Sequence, residues 1–370
     1  MSLKGGCVMK ISRLGVIFFA LWSGIHSAQA LTLDQRWDLE RRIPFQGFTP
    51  EVISILKNRH VFFISGIMNE LADPQVLGIR FFKSYYKSNI RSVETELGMT
   101  YDYYGPNSAE AVEDNSEVIY EQLMRAYSHI GKPMIVMAHS KGGAEMLHTV
   151  LRHPELILRG YVDRVILVQA AIGGSPIITN TEDRGILYRA ISWFVQRGIK
   201  SLEVNHSRRS FDLDFALYQE RLNLLLERDQ GGQGDSSALH QEVSSRIFYV
   251  RSHQLREHLS WGIRTVNQVC GVKLHDDGKN DGLLMLKHQK HPGIGVDLGV
   301  LRSDHIGLTV DYYSNISSAE KKAFTRALLA HVYSSDLELE DTSEYDEDLS
   351  QYSHPKMGLS PSHELEKGVW

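Results

Sequence analysis

A chain of 370 residues with 42% apolar and 23% charged side chains can bury one large core, and two cysteines, Cys7 and Cys270, rule out a disulfide scaffold. The formal net charge of −5 is unevenly spread, since residues 1–30 carry +3, residues 334–370 carry −8 and the body between them is neutral. A neutral body offers no basic field for nucleic acid, so no nucleic-acid partner is expected.

The chain opens with Lys4, Lys10 and Arg13, then an apolar run over 14–25, then Ala28-Gln29-Ala30. That pattern is a secretory signal, with cleavage expected after Ala30. The run falls short of the roughly 20 apolar residues a membrane-spanning helix needs. Cys7 precedes the run, which argues against a lipid-modified cysteine. The expectation is an exported protein, secreted or periplasmic, whose mature form keeps only Cys270 and has no internal disulfide.

Residues 60–65 read as a buried strand ending in the turn Ser65-Gly66-Ile67. Helical character follows over 74–90 and toward Leu97, with a short strand at 101–105. A long amphipathic helix is expected over 108–130, with Ala111, Val118, Ile119, Leu123 and Ala126 on its apolar side. The apolar run Met134-Ile135-Val136-Met137 then leads into Ala138-His139-Ser140-Lys141-Gly142-Gly143, and a helix to His153 places Met146, Leu147, Val150 and Leu151 at helical spacing. A serine on a sharp strand-to-helix turn stands clear of the sheet, near the positive end of a helix. The turn is so tight that the residues two before and two after must be small, as Ala138 and Gly142 are. This is the layout of a nucleophile elbow; the pentapeptide by itself would also fit a plain strand-to-helix turn, and the strand-like run before it and the helical spacing after it favour the elbow.

Strands at 165–168 and 246–250 and a closing helix at 320–332 continue the alternation, which points to an α/β architecture with a mostly parallel sheet flanked by helices. Between 173 and 244 the alternation is interrupted. This insertion holds an apolar helix-like piece at 186–194, a second helical piece at 213–226 and the connector Gly231-Gly232-Gln233-Gly234. Beyond it, Asp281 lies in the tight turn Asn280-Asp281-Gly282 and His305 follows Asp304, so serine, acid and histidine come in the order that this fold requires. In such a set the histidine takes and returns the serine proton while the acid fixes its tautomer. Asp276, Asp277, Asp297 and Asp304 compete for the acid's role, Asp277 foremost. Backbone N–H groups of Lys141 and of Ile67, or else Met68, are the candidate oxyanion donors. The histidines His148, His153, His288 and His291 lack metal-ligand spacing, and no phosphate-binding glycine loop is present. The acidic tail over 334–370 has no apolar periodicity and reads as a disordered extension.

Through Ser65-Gly66-Ile67, the run Ala138 to Gly143, Asn280-Asp281-Gly282 and Asp304-His305, the chain resembles the α/β-hydrolase superfamily, and within it secreted bacterial lipases and esterases. The resemblance frames about two thirds of the chain. It implies an α/β-hydrolase domain over 31–333, with residues 173–244 as a helical cap or lid. It also implies cleavage of carboxylic esters with apolar acyl chains through an acyl-enzyme on Ser140, with Asp281 and His305 completing the set. Alternatives that use the same residues are an acyltransferase, thioesterase, phospholipase or polyester depolymerase; a noncatalytic binding protein on this fold is a further one. Within the cap, Ile186, Leu187, Ile191, Trp193 and Phe194 are candidates for contact with the acyl chain or transiently with a lipid interface, or else for ordinary packing on the sheet. Two departures stand out. Ala138 replaces the commoner glycine, and Ser65-Gly66 stands where the oxyanion loop usually has His-Gly. Related lipases that hold calcium carry an aspartate where this chain has Gly307, so no calcium site is expected; no other metal and no cofactor are expected either.

Overall fold

The computed structural model describes residues 31–67, 85–175, 200–230, 235–269, 279–311 and 314–334. The signal segment, Met68, the cap candidates Ile186, Leu187, Ile191, Trp193 and Phe194, the glycine connector, Asp276, Asp277 and the acidic tail after residue 334 lie outside the described residues. In chain order the elements are α1 (Leu33–Arg42), α2 (Pro50–Lys57), β1 (His60–Ile64), α3 (Lys87–Arg91, extended by a π-helical turn) and β2 (Thr100–Tyr104). Next come α4 (Val112–Ile130), β3 (Met134–His139), α5 (Ser140–Arg152), α6 (Glu155–Leu158) and β4 (Val162–Val168). The chain continues with α7 (Val204–Gln230), α8 (Ser236–Ser244), β5 (Ile247–His253), α9 (Trp261–Val269), β6 (Val296–Arg302) and α10 (Ser318–Val332).

Six strands form one sheet in the order β2-β1-β3-β4-β5-β6, and every pair is parallel. Parallel strands need crossover helices, and those helices cover both faces. The two-residue period of the strands divides the core accordingly. Phe62, Ile64, Val136, Ala138, Val165 and Leu167 face a layer built from α4 to α8, while Val61, Phe63, Ile135, Met137, Ile166 and Val168 face α1, α2 and α10. This order, with a serine-bearing turn after its central strand β3, is the α/β-hydrolase arrangement.

The order also locates the site. From β1 the chain steps outward to β2, then returns across β1 to build β3 to β6 on the other side. The carboxyl ends of β1 and β3 therefore flank the point where the winding reverses, which is where open α/β sheets leave a crevice. The turn 65–67 and Ser140 both project there.

Sequence and structure differ at several elements. The long helix begins at Val112, with Val118 exposed and Val112 buried in its place. In the insertion, α7 is one helix of 27 residues rather than a short piece at 213–226. Its buried side carries Phe211, Asp214, Tyr218 and Leu222, whereas Leu213 and Leu224 are 63% and 57% exposed. An aspartate on the inner face broke the apolar period, and it is buried because His148 Nδ1 (2.6 Å) and Arg152 Nε (2.7 Å) on α5 pair with it. The described part of the insertion thus packs on α5. Helices α1 and α2 and strand β6 were not legible from periodicity. The first two are held at their N-termini by Thr32, in a capping box with Gln35, and by Thr49 with Pro50 at the first position.

Candidate active site

Ser140 is the first residue of α5 and has φ +56°, a left-handed conformation that costs a non-glycine residue on the order of 1–3 kcal/mol. The surrounding structure enforces it. Strand β3 is buried along its whole length and α5 must start at once to pack on the sheet. The crossing is close enough that a Cβ on Gly142 would sit 2.2 Å from the Ser65 carbonyl oxygen. Only glycine allows the turn 65–67 and the helix to approach this way.

His305 Nε2 lies 2.8 Å from Ser140 Oγ, and His305 Nδ1 lies 2.9 Å from Asp281 Oδ2. A carboxylate only accepts, so Nδ1 carries the hydrogen and Nε2 is left to accept from the serine hydroxyl. All three residues are buried, with Ser140 6% exposed. Asp281 is held on every side: Oδ1 accepts from the N–H groups of Leu283 (3.0 Å) and Leu284 (2.8 Å), and Oδ2 also accepts from Gln289 Nε2 (3.2 Å). The His305 N–H donates to the Asp281 carbonyl (2.9 Å), which ties the two loops together by their backbones.

The competing acids take other partners. Asp297 pairs with Arg251, and Asp304 accepts from the Ser260 N–H (2.6 Å). Burial raises the pKa of Asp304, the bonds from Ser260 oppose that rise, and the neighbouring Asp281 carboxylate adds to it. Asp304 thus holds the histidine loop to the start of α9 rather than facing the imidazole.

The segments that carry the candidate oxyanion donors both adjoin Ser140. The Lys141 N–H belongs to the first turn of α5, whose donors have no partner inside the helix. Its side chain is buried in an ion pair with Glu145, which also accepts from Asn115 Nδ2 (2.6 Å), so the residue after the serine is fixed at both ends. The turn 65–67 touches Ser140, since a Cβ on Gly66 would meet Ser140 Cβ at 2.7 Å. The Ser65 N–H is used by the Tyr104 carbonyl and the Gly66 N–H by the Tyr85 hydroxyl, while the Ile67 N–H takes no acceptor among the described residues.

Several residues at this site carry no signal in the sequence. Gln169, which follows β4 with φ +49°, donates to the Asp304 carbonyl (2.8 Å). Gln289 also accepts from the Ser252 N–H (2.8 Å), which links Asp281 to β5. Tyr85 and His139 lie beneath the serine. Their partners are distant in sequence, and only His139 could have been singled out, as a motif residue. His288 and His291, weighed as metal ligands, belong to the loop that places Gln289. Among the described residues no group of three or more His, Cys, Asp or Glu could hold a metal ion. Chemically, the arrangement can deprotonate a serine, hold a proton on an oriented imidazole and receive negative charge at backbone donors.

No family model matches the sequence, and no curated protein matches it. Solved structures do. A metagenomic carboxyl esterase, MGS0156, is 18% identical, with 75% of this chain and 76% of that one covered and a TM-score of 0.49. The mature lipase BlEst2 of Bacillus licheniformis is 18% identical over 66% of this chain and 84% of its own, with a TM-score of 0.44. Phospholipase PlaB of Legionella pneumophila is 12% identical over 75% of this chain and 60% of its own, with a TM-score of 0.46.

Proposed function

We propose that this chain is a serine hydrolase that cleaves carboxylic esters with apolar acyl chains. One observation carries the reading: a continuous run of hydrogen bonds from Asp281 through His305 to Ser140, ending on a serine in a left-handed turn at the reversal point of the sheet. Ser140 Oγ attacks the ester carbonyl as its proton passes to His305 Nε2, and Asp281 stabilises the imidazolium. The carbonyl oxygen becomes an oxyanion that the N–H groups of Lys141 and Ile67 receive. The tetrahedral intermediate collapses, the C–O bond to the leaving alcohol breaks, and His305 returns the proton to that alcohol. Water, deprotonated by His305, then attacks the acyl-serine, and the acid departs as Ser140 regains its proton. Residues 1–30 would direct export and be removed after Ala30.

The test is hydrolysis of p-nitrophenyl esters of increasing chain length by the chain lacking residues 1–30, beside Ser140→Ala. The expected outcome is hydrolysis by the first protein, a loss on the order of 10⁶-fold in kcat for the variant, and labelling of Ser140 by a fluorophosphonate. A folded protein that is inert to all esters and unlabelled would overturn the reading, and a preference for the shortest esters would overturn the apolar acyl chain.

A further inference from the structure

Tyr85 joins three segments of the site. Its backbone pairs with Val310, and the next N–H, of Tyr86, donates to the Thr309 carbonyl (2.6 Å), so the residue is clipped to the loop that follows His305. Its hydroxyl lies 2.6 Å from His139 Nδ1, and the other ring nitrogen of His139 lies 2.8 Å from the His305 carbonyl oxygen. The direction of every bond in this run is determined. A carbonyl only accepts, so His139 carries its hydrogen on Nε2 and donates to His305. Its Nδ1 must then accept, so the Tyr85 hydroxyl donates to it, and a lone pair of that hydroxyl receives the Gly66 N–H (3.1 Å).

We propose that Tyr85 and His139 are positioning residues that lock the oxyanion turn and the catalytic histidine into one register, an inference that rests on the reaction assigned above to Ser140. The Gly66 peptide is held between the nucleophile and the phenol, because a Cβ there would meet Ser140 Cβ and Tyr85 Oη, each at 2.7 Å. By taking the Gly66 N–H, Tyr85 orients the peptide so that the following N–H, of Ile67, is the one left for the oxyanion. By holding the His305 carbonyl, His139 sets the backbone from which the imidazole reaches Ser140. The two rings of His139 and His305 are 4.8 Å apart. Burial and the neighbouring His305 hold the His139 imidazole well below its ordinary pKa, so it remains neutral and does not compete for the proton that His305 carries. Burial likewise pushes the Tyr85 phenol above its ordinary value and keeps it a donor.

The test compares the wild-type chain with Tyr85→Phe, His139→Gln and the double variant. The phenylalanine removes one oxygen; the glutamine keeps an amide N–H that can donate toward the His305 carbonyl but lacks the ring nitrogen that faces the Tyr85 hydroxyl. For each protein, kcat and KM on a p-nitrophenyl ester, the rate of fluorophosphonate labelling and the thermal midpoint are measured, with nitrogen-15 NMR of the histidines in the wild type. The expected result is a fall of about 10- to 100-fold in kcat and in labelling for Tyr85→Phe at nearly unchanged KM, beside a lowered midpoint, since His139 Nδ1 and the Gly66 N–H lose their partner. His139→Gln should match it, and the double variant should be no slower than the slower single, because all three break one chain of bonds. His139 should hold its hydrogen on Nε2. Wild-type rates in Tyr85→Phe, multiplying effects in the double variant, or a hydrogen on His139 Nδ1 would overturn the proposal while leaving the ester reading intact. A wild-type protein whose Ser140 takes no fluorophosphonate would overturn the ester reading and this proposal with it.

Discussion

Asp281 holds its neighbours so tightly that a change of one atom has a defined consequence. Its Oδ1 is committed to two backbone N–H groups, so in Asp281→Asn the amide oxygen stays on that side and the amide nitrogen turns toward His305. His305 Nδ1 must then accept, its hydrogen moves to Nε2, and the imidazole can no longer take the Ser140 proton. Gln289 Nε2, now facing a second donor, loses its partner as well. The expected outcome is a fall on the order of 10⁴-fold in kcat with the fold retained, read from steady-state kinetics and circular dichroism; activity within tenfold of wild type would assign the acid's role elsewhere. Ser140, Asp281 and His305, which the structure joins by hydrogen bonds, were legible as candidates because each sits in a local context, a turn or a motif, that chemistry constrains. Gln289, Gln169 and Tyr85 were not. A glutamine or tyrosine does the same work wherever the fold brings it, and nothing adjacent in the chain announces the contact.

Among the elements, α7 is the one most misjudged by periodicity. By residue type Asp214 belongs to solvent and Leu213 and Leu224 to a core, but α5 supplies His148 and Arg152 to a buried Asp214 and the two leucines lie exposed. Burial alone would raise the Asp214 pKa, but the bonds from His148 and Arg152 more than offset it and hold the carboxylate below its usual range. Removing it leaves an imidazole and a guanidinium without their acceptor in a buried contact. Asp214→Ala should therefore destabilise the protein by about 3–5 kcal/mol, measured by denaturant unfolding, whereas an exposed-face control, Leu213→Ala, should change stability by less than about 0.5 kcal/mol. Equal effects of the two would mean that α7 is not anchored through this pair. Strands β1, β3 and β4 were legible because burial on both faces leaves short unbroken apolar runs, as in 134–138. Strand β6 escaped notice because only Leu298 and Leu301 within it are buried.

The whole molecule carries a pH dependence that no single element shows. His288, His291 and His331 are each held down to about pKa 4, all chiefly by burial, with Arg208 and Lys287 adding to His288, His148 to His291 against an opposing Asp212, and Arg36 to His331. A depressed folded value means that the unfolded chain binds these protons first. Stability is then complete above the unfolded value of 6.5 and is lost as pH falls from there toward about 4. Each histidine contributes at most roughly 3 kcal/mol to that loss. The thermal midpoint should fall steadily through that window, and a midpoint that stays flat there would show that these imidazoles are reached by solvent in the native state. What could be read from the amino-acid order was local: strand and helix periods, the tight turn at Ser140, and the order of the candidate serine, acid and base. Those features depend on neighbours along the chain. The choice of Asp281 over Asp304, the support from Gln289 and Tyr85, and the burial of Asp214 depend on residues brought together across the sheet, such as Ser140 and His305, 165 positions apart. Hydrogen bonds and burial act through space, so these assignments exist only once the strands have paired and the helices have closed over them.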